Sequence, residues 1–357
     1  MFINESRARV AERCLRQFYW FHLHNGHGIR TNRTDDKLSW GSLLHAGLAA
    51  HYSNQDIPSA LQEELNVIFP EWDNLPADTK NEWLDELEWI QKVLGRYKEW
   101  ARSRDHFKVE GVEQVGVVIL GEQCWRCGTP YPLEELPENC CRGCGAQAHS
   151  FVFRLDLLVR TPDGIEVIDH KSTSSSVDER YLASWEYSSQ LWGYSYGASK
   201  QFDLPIKRYG INIIRKVNSA GEEPDLTKQC PECRNGSKKR LACVQCEGTG
   251  RVARPLRSAD LPFHRETFSF TEAKKAWFVE SRTKCATKIV EHQRRLDEGD
   301  LSAFPKNPSA CYKCPLTDVC YQPNLRDWCE AWLPEEKYLT KGPDYVTLHQ
   351  MALEEGL

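Results

Sequence analysis

The stretch FRLDLLVRTPDGIEVIDHKST, residues 153–173, contains two apolar runs separated by the turn-forming letters Thr-Pro-Asp-Gly. Proline presets the first torsion of a turn and Asp-Gly tolerates the remaining ones, so the sequence predicts a β-hairpin. The charged residues within these largely apolar strands include Asp156, Asp169 and Lys171. Their position needs an explanation, because a buried strand is normally apolar throughout.

The length of the loop decides which charged residues face each other. If the Pro-Asp pair forms the loop, Asp156 lies opposite Asp169; if the Asp-Gly pair forms it, Asp156 lies opposite Lys171. Both registers put all three residues on one face, because cross-strand partners share a face and strand residues two apart do so as well. Only a loop of odd length would separate them.

Two carboxylates and one ammonium are costly to bury together without a compensating function, and a divalent metal supplies one. Carboxylate oxygens hold Mg²⁺ or Mn²⁺, which polarises a phosphodiester and lowers the pKa of a bound water. Lys171 would then orient that water or stabilise the charge that develops on the phosphate. The alternative on this stretch alone is a structural salt bridge on a solvent-facing side of the hairpin.

The composition is that of a folded protein. The chain has 357 residues, of which 40% are hydrophobic, so one large or two ordinary domains are expected. It contains no apolar run long enough to cross a membrane, and the first residues, MFINESRARVAERC, lack the apolar core of a signal peptide. We therefore expect a cytoplasmic protein. The net charge of −5 neither supports nor excludes binding to DNA.

The pattern of elements along the chain predicts an α+β or α/β fold. The first third is mainly helical, with helices expected over 5–24, 40–52 and 78–103. Strands begin near Val109, a helix is expected over 178–200, a strand over 208–216 and a long charged helix over 271–298. Two cysteine-rich segments interrupt this order, which indicates small modules inserted at strand ends.

Polar residues elsewhere in the sequence extend the possible site. Gln190 and Tyr194 are four residues apart in a predicted helix and therefore share one helix face. His45 lies in an otherwise apolar helix, where it is either a hydrogen-bonded core residue or a metal ligand. In the C-terminal segment, Cys311-x2-Cys314-x5-Cys320 lacks a fourth cysteine nearby, and Cys14 could supply it.

These motifs together resemble a known family. GSLLH, LDLLV with VIDHK, and QLWGY are similar, in the same order, to the successive motifs of RecB-type nucleases of the PD-(D/E)XK superfamily. The arrangement of one N-terminal cysteine and a C-terminal C-x2-C-x5-C resembles the iron–sulfur members of that group, namely the CRISPR-adaptation nucleases and the AddB nuclease domain. The resemblance covers residues 6–320. It implies a restriction-endonuclease-like central mixed sheet flanked by helices.

Carried over by residue, the resemblance implies a metal site and a catalytic lysine. His45, Asp156 and Asp169 would bind Mg²⁺ or Mn²⁺, with the backbone carbonyl of His170 as a further ligand, and Lys171 would be catalytic. Gln190 and Tyr194 would position the substrate or the lysine. A [4Fe–4S] cluster would link the chain ends as a structural staple, unless zinc occupies the same thiolates; its ligands would be Cys14, Cys311, Cys314 and Cys320.

The two cysteine-rich inserts depart from compact members of the family. Cys-x2-Cys pairs in a reducing compartment indicate metal sites, so we expect one zinc ion in each insert. The first set comprises Cys124, Cys127, Cys141 and Cys144, with Cys140 as the alternative third ligand. The second set comprises Cys230, Cys233, Cys243 and Cys246. Twelve of the fifteen cysteines are then used, and the other three are expected to be free thiols: Cys140, Cys285 and Cys329.

The second insert is also rich in basic residues. These could contact nucleic-acid phosphates, or they could form an ordinary solvated surface. They are Lys228, Arg234, Lys238, Lys239, Arg240, Arg251, Arg254 and Arg257.

We expect four parts in the chain. Residues 1–108 would form the N-terminal helical part of a nuclease domain, and 109–227 its sheet core with a zinc-ribbon insert at 122–147. Residues 228–254 would form the second zinc-binding insert. Residues 255–357 would contribute the last strand, the long helix and the iron–sulfur cysteines.

The implied function is a metal-dependent DNA nuclease, an exonuclease in recombination, repair or mobile-element processing. One alternative is a nucleic-acid-binding module that is inactive, or active only with a helicase, recombination or adaptation partner. The other is a zinc-ribbon protein that binds RNA or another protein and in which the carboxylates are structural.

Overall fold

The structure is a computed structural model. The structure describes residues 1–24, 28–31, 36–70, 72–131, 140–216, 227–231, 243, 245–247, 249–253, 261–300, 302–312, 314–316, 320 and 338–340. Cys233, Cys329 and most basic residues of the second insert lie outside these ranges.

A six-stranded mixed sheet forms the centre of the molecule. Its strands are β1 (Phe2–Ile3), β3 (Lys108–Ile119), β4 (Ser150–Thr161), β5 (Gly164–Thr173), β6 (Ile206–Arg215) and β9 (Phe263–Ser269). Strand β4 pairs with β3 along one edge, while its other edge pairs first with β1 and then with β5. Strand β6 is parallel to β5 and antiparallel to β9. The remaining short strands, outside this sheet, are β2 (Ile29–Thr31), β7 (Thr227–Gln229), β8 (Arg251–Ala253) and β10 (Tyr338–Thr340).

Helices cover both faces of the sheet. They are α1 (Glu5–Arg13), α2 (Leu15–Phe18), α3 (Asp36–Tyr52), α4 (Ile57–Ile68), α5 (Ala77–Arg102), α6 (Glu179–Ser184), α7 (Ser189–Gln201) and α8 (Glu272–Asp297). One core cluster joins the sheet to α1, α7 and α8, and a second joins it to α3, α4 and α5. Helix α5 has apolar residues at three- and four-residue steps, so they share one helix face. This face places Trp83, Leu87 and Ile90 in the second cluster.

The helix predicted over 178–200 is divided in two. Helix α6 ends at Ser184, a short 3-10 turn follows, and α7 begins at Ser189. Each helix has its own N-terminal cap, because Asp178 accepts a hydrogen bond from the N–H of Tyr181 and Ser188 accepts one from the N–H of Leu191. These two caps explain the break.

The hairpin predicted from residues 153–173 is present as β4 and β5. Thr161 pairs with Gly164, so Pro162 and Asp163 form the loop. The paired register then continues as far as Leu157 with Ile168 and stops one residue before Asp156 and Asp169. The backbone pairing of β4 and β5 therefore ends next to Asp156 and Asp169.

Regular strand alternation does not hold at this point. Leu155 and Leu157 are two residues apart, yet they pack into different core clusters. The prediction that Asp156, Asp169 and Lys171 share one face assumed that side chains alternate regularly along both strands, and β4 does not keep this alternation here. In the structure, His45 approaches Asp156 from α3, on the side of the second core cluster.

Candidate active site

The carboxylate of Asp156 connects the two parted strands. Its Oδ2 atom accepts a hydrogen bond from the backbone N–H of His170 over 2.6 Å. The same oxygen lies 3.4 Å from Nδ1 of His45. Asp156 is buried, and burial alone would raise its pKa, but the hydrogen bond and positive charge of His45 outweigh burial and lower it. Asp156 is thus held as a carboxylate.

The pKa of His45 is shifted in the direction that favours its charged form, as is that of Asp156. Burial alone would lower the pKa of its imidazole, but the hydrogen bond and negative charge of Asp156 raise it. The two residues therefore stabilise each other's charged forms.

Asp169 and Lys171 form a close ion pair next to Asp156. Nζ of Lys171 lies 2.5 Å from Oδ2 of Asp169 and 3.4 Å from the carbonyl oxygen of His170. Burial is the largest influence on the carboxyl of Asp169 and raises its pKa, partly offset by the charge of Lys171. The pKa of Lys171, which burial alone would lower, is raised by Asp169 and Asp156. The lysine is therefore an ammonium.

Glu113 is part of this site, although the sequence analysis did not identify it. Its carboxylate, the imidazole of His45 and the carboxylate of Asp156 offer ligand atoms that all lie within 4.8 Å of one another. No local motif marks Glu113, because it comes from β3, more than forty residues before Asp156. Only the pairing of β3 with β4 brings them together.

A buried polar network supports the site from the side of α5 and β9. The imidazole of His170 stacks on the ring of Tyr52, with centroids 5.6 Å apart, and its Nδ1 lies 3.1 Å from Nδ2 of Asn212. Nδ2 of Asn212 also donates to the hydroxyl of Tyr97, and its Oδ1 accepts from Nε of Arg265.

The protonation state of His170 follows from this environment. Burial lowers the pKa of its imidazole to about 3, so the ring is neutral. Because the amide of Asn212 can donate to Nδ1, the proton of the neutral ring belongs on Nε2.

Gln190 and Tyr194 are joined to each other. Nε2 of Gln190 donates to the hydroxyl of Tyr194 over 2.8 Å, as expected for residues on one face of α7. This helix packs on β3, β4, β5 and β6, and therefore on both strands that carry the carboxylates.

The donors near the point where β4 and β5 part fit a divalent cation. Carboxylate oxygens are the ligands that Mg²⁺ and Mn²⁺ prefer, and an imidazole nitrogen is a common additional ligand. His45, Asp156 and Glu113 bring such donors within 4.8 Å of one another. Asp169 is not part of this compact group, because its carboxylate lies against Lys171, whose Nζ is also 3.4 Å from the carbonyl oxygen of His170.

The first cysteine-rich insert brings four thiols together. The Sγ atoms of Cys124, Cys127, Cys141 and Cys144 all lie within 4.8 Å of one another. Sγ of Cys124 is 3.7 Å from Sγ of Cys144, and Sγ of Cys127 is 3.6 Å from that of Cys141. A tetrahedron with Zn–S bonds of about 2.3 Å requires sulfur separations of about 3.8 Å. The spacing fits one zinc ion, and the set contains Cys141 rather than Cys140.

Both halves of this insert have the same backbone turn. The N–H of Gly128 donates to the carbonyl of Cys124, and the N–H of Gly145 donates to the carbonyl of Cys141. Both glycines have positive φ, 73° and 69°, a conformation that glycine adopts without strain. These paired turns direct the four thiols to one point.

Three of the four thiols predicted to bind metal in the second insert lie close together. The Sγ atoms of Cys230, Cys243 and Cys246 lie within 4.8 Å of one another, with Cys230 and Cys243 3.8 Å apart. Cys233 lies outside the described residues. These thiols could also hold a metal ion.

The predicted cysteines of the chain ends lie in one region. Cys14 separates α1 from α2, and its Sγ accepts a hydrogen bond from the N–H of Asn307 over 3.3 Å. Burial raises the pKa of Cys320 to about 12, and the neighbouring thiols of Cys314 and Cys14 add to this shift.

These thiols are spaced differently from those of the inserts. Among the residues that the structure describes, which include Cys14, Cys311, Cys314 and Cys320, no three of these four offer sulfur atoms within 4.8 Å of one another. The set is therefore wider than the two compact cysteine groups.

Comparison with known proteins identifies the family. The family model described as the PD-(D/E)XK nuclease superfamily matches residues 3–321, nearly the whole chain. The chain belongs to the PD-(D/E)XK nuclease superfamily. Its mixed sheet, with helices on both faces, is the fold expected for this superfamily.

Two further comparisons add little to this assignment. No curated protein matches the chain. A solved structure described as a "Putative exonuclease" from Eubacterium rectale is similar with 10% sequence identity and a TM-score of 0.45, over 100% of this chain and 94% of that one. At this TM-score the likeness carries no argument about function.

In the described part of the chain, every helix is too short or too polar to cross a membrane.

Proposed function

We propose that this PD-(D/E)XK nuclease is a Mg²⁺- or Mn²⁺-dependent deoxyribonuclease that acts as an exonuclease. The observation that supports this proposal best is the arrangement where the hairpin opens. Asp156 is tied to the backbone of His170 and to His45, and the Asp169–Lys171 ion pair lies beside it. Asp156, Asp169 and His170 are buried, and His45 and Lys171 are only partly exposed, so water competes weakly with these groups for a cation and for phosphate oxygens.

Asp156, Asp169, His45 and the carbonyl of His170 would hold the metal. When bound, Mg²⁺ or Mn²⁺ polarises the scissile phosphodiester and lowers the pKa of a coordinated water. Nζ of Lys171 lies 2.5 Å from the carboxylate of Asp169, and this ammonium can donate to a phosphate oxygen or orient the attacking water. Asp169 keeps that ammonium charged and in place.

The hydrogen bond from His170 to Asp156 fixes the carboxylate relative to β5. Gln190 and Tyr194, which constrain each other through their hydrogen bond, would position the substrate or Lys171 from α7.

The remaining cysteines would hold two zinc ions and one [4Fe–4S] cluster. Four ligands of one zinc ion must lie close together, whereas each thiolate of a [4Fe–4S] cluster binds a different iron, so cluster ligands are more widely spaced. The close spacing in the first insert supports zinc, and the cluster is proposed from the C-x2-C-x5-C pattern of the terminal cysteines together with Cys14. In this proposal the zinc modules and the cluster stabilise the fold and take no part in catalysis.

DNA is the proposed substrate, and recombination, repair or mobile-element processing in the cytoplasm is the proposed setting. Lys228 and Arg251 of the second insert are exposed, and in this proposal they contact phosphates. The alternative is a nucleic-acid-binding module that cleaves only with a helicase, recombination or adaptation partner. The two inserts favour that alternative, because compact members of the family lack them.

The test is degradation of 5′- and 3′-end-labelled single- and double-stranded DNA by protein purified anaerobically, in Mg²⁺ or Mn²⁺. Stepwise release of label by the wild type, absent with Lys171→Ala, is the expected result, and the label released first gives the polarity. A labelled RNA of the same sequence should remain intact. If wild type and Lys171→Ala both leave every substrate intact, the partner-dependent alternative replaces the proposal.

A further inference from the structure

We propose that Glu113 is an additional ligand of the active-site cation and that Arg154 positions it. This inference rests on the proposed function, because it concerns the same metal site. Glu113 lies outside the sequence motifs GSLLH, LDLLV, VIDHK and QLWGY. Its assignment follows from its place on β3, opposite Asp156 of β4.

The first observation is the register. Val112 pairs with Leu157 and Gln114 pairs with Leu155, so Glu113 faces Asp156 between these two pairs. A carboxylate oxygen of Glu113 lies within 4.8 Å of one of Asp156, and like charges at such cross-strand positions are destabilising. Both carboxylates are also at least partly removed from solvent, which strengthens their repulsion. A bound cation would convert this repulsion into attraction.

The second observation is the backbone of Glu113. Its φ is +49°, in the left-handed region, although it lies within a strand and is not glycine. This conformation is unfavourable for a residue with a side chain, and such strain is concentrated at functional sites. A glycine here would avoid the strain, so the side chain must contribute something that compensates for it.

The third observation is the set of neighbouring groups. The ligand atoms of Glu113, His45 and Asp156 lie within 4.8 Å of one another and include an imidazole nitrogen as well as carboxylate oxygens. On its other side, Oε2 of Glu113 lies 3.3 Å from Nε of Arg154, which also comes from β4. The side chain of Arg154 is 57% exposed, so it can hold Glu113 without neutralising it fully.

The same pair of strands provides a matched control. Glu110 of β3 pairs with Arg160 of β4, with Oε1 and Nε 2.8 Å apart. This pair has the same residue types on the same two strands, but Glu110 is not part of the group around His45 and Asp156. Any general effect of removing a Glu–Arg pair from this sheet should therefore appear at Glu110 as well.

The test is direct Mn²⁺ binding without DNA, measured by calorimetry and by the electron paramagnetic resonance signal of free Mn²⁺. Glu113→Gln should weaken Mn²⁺ binding about tenfold or more, the scale expected when a group at a metal site is lost. Arg154→Ala should weaken it less, and Glu110→Gln should leave it unchanged. Glu113→Gly should also lose affinity while keeping or raising the thermal unfolding midpoint, because it relieves the backbone strain.

Asp156→Asn separates this inference from the proposed function. If Asp156→Asn weakens Mn²⁺ binding but Glu113→Gln and Glu113→Gly bind as the wild type does, the role of Glu113 is refuted and the proposed site is retained. If Asp156→Asn also binds Mn²⁺ as the wild type does, the proposed metal site is refuted together with the inference.

Discussion

The backbone N–H of His170 donates to Oδ2 of Asp156 over 2.6 Å, beyond the point where the pairing of β4 and β5 has ended. The strands part, yet a side chain still joins them. A regular ladder would bring backbone groups together here, whereas the open strands leave room for carboxylates, an imidazole and a lysine. The opening of the hairpin therefore creates the site.

Replacing Lys171 should remove both activity and stability. Lys171→Ala leaves Asp169, which is 1% exposed, without its cation, and breaking a buried ion pair costs about 3–5 kcal/mol. Cleavage should fall by about a hundredfold or more, the usual effect of losing a charge-stabilising group. End-label release and urea unfolding in buffer free of Mg²⁺ and Mn²⁺ measure the two effects.

The double variant Lys171→Ala/Asp169→Asn should regain part of the lost free energy of unfolding, because no unpaired carboxylate remains, and it should stay inactive. Lys92→Ala removes an exposed lysine of α5 and serves as the control. Wild-type cleavage by both Lys171→Ala and Asp169→Asn would rule out the catalytic assignment.

The first insert allows a comparison of adjacent cysteines. Cys141 lies in the compact thiol group and Cys140 does not. Cys141→Ala should therefore release about one zinc ion per chain, by the four-ligand rule for structural zinc, while Cys140→Ala should keep it. Elemental analysis of the purified variants measures the difference. Equal zinc content in the two variants would contradict the assignment of Cys141.

The colour and iron content of the protein test whether the terminal cysteines hold a [4Fe–4S] cluster. Protein purified anaerobically should be brown and contain about four iron atoms per chain, as a [4Fe–4S] cluster requires. Cys14→Ala should lose iron and colour, whereas Cys285→Ala, which removes another buried cysteine near α1, should keep both. Colourless wild-type protein with a third zinc ion would show that zinc occupies the terminal set.

Much of the fold could be predicted because its signals are local. The Pro-Asp loop, the apolar runs beside it and the spacing along α5 each depend on residues close together in the sequence. The caps at Asp178 and Ser188 are local as well, but serine and aspartate are too common for their presence alone to indicate a break in a helix.

The parts of the site that were missed depend on long-range geometry. Glu113 joins the site through the register of β3 against β4, and its left-handed backbone cannot be deduced from the residue type. Asn212 and Arg265 contact each other because β6 pairs with β9 after an intervening insert. No motif spacing contains this information. The break in strand alternation at Asp156 was missed for a related reason, because a sequence pattern assumes regular strands.

Asn212 should be important for stability although it touches no substrate in the proposed mechanism. It is fully buried, and its amide contacts His170, Tyr97 and Arg265. Asn212→Leu keeps a similar volume but removes these polar partners, and each buried group left without a partner costs about 1–3 kcal/mol. We expect the free energy of unfolding to fall by about 3 kcal/mol or more, by the same rule.

Urea unfolding of Asn212→Leu measures this loss, and Asn66→Leu is the control. Asn66 is exposed on α4, where its Oδ1 accepts only a surface hydrogen bond from Gln62, so its replacement should change stability by about 0.5 kcal/mol or less. Where Asn212→Leu remains folded, cleavage should also weaken, because His170 loses a contact that orients its ring beside Asp156. Equal stabilities of the two variants would show that the network does not support the site.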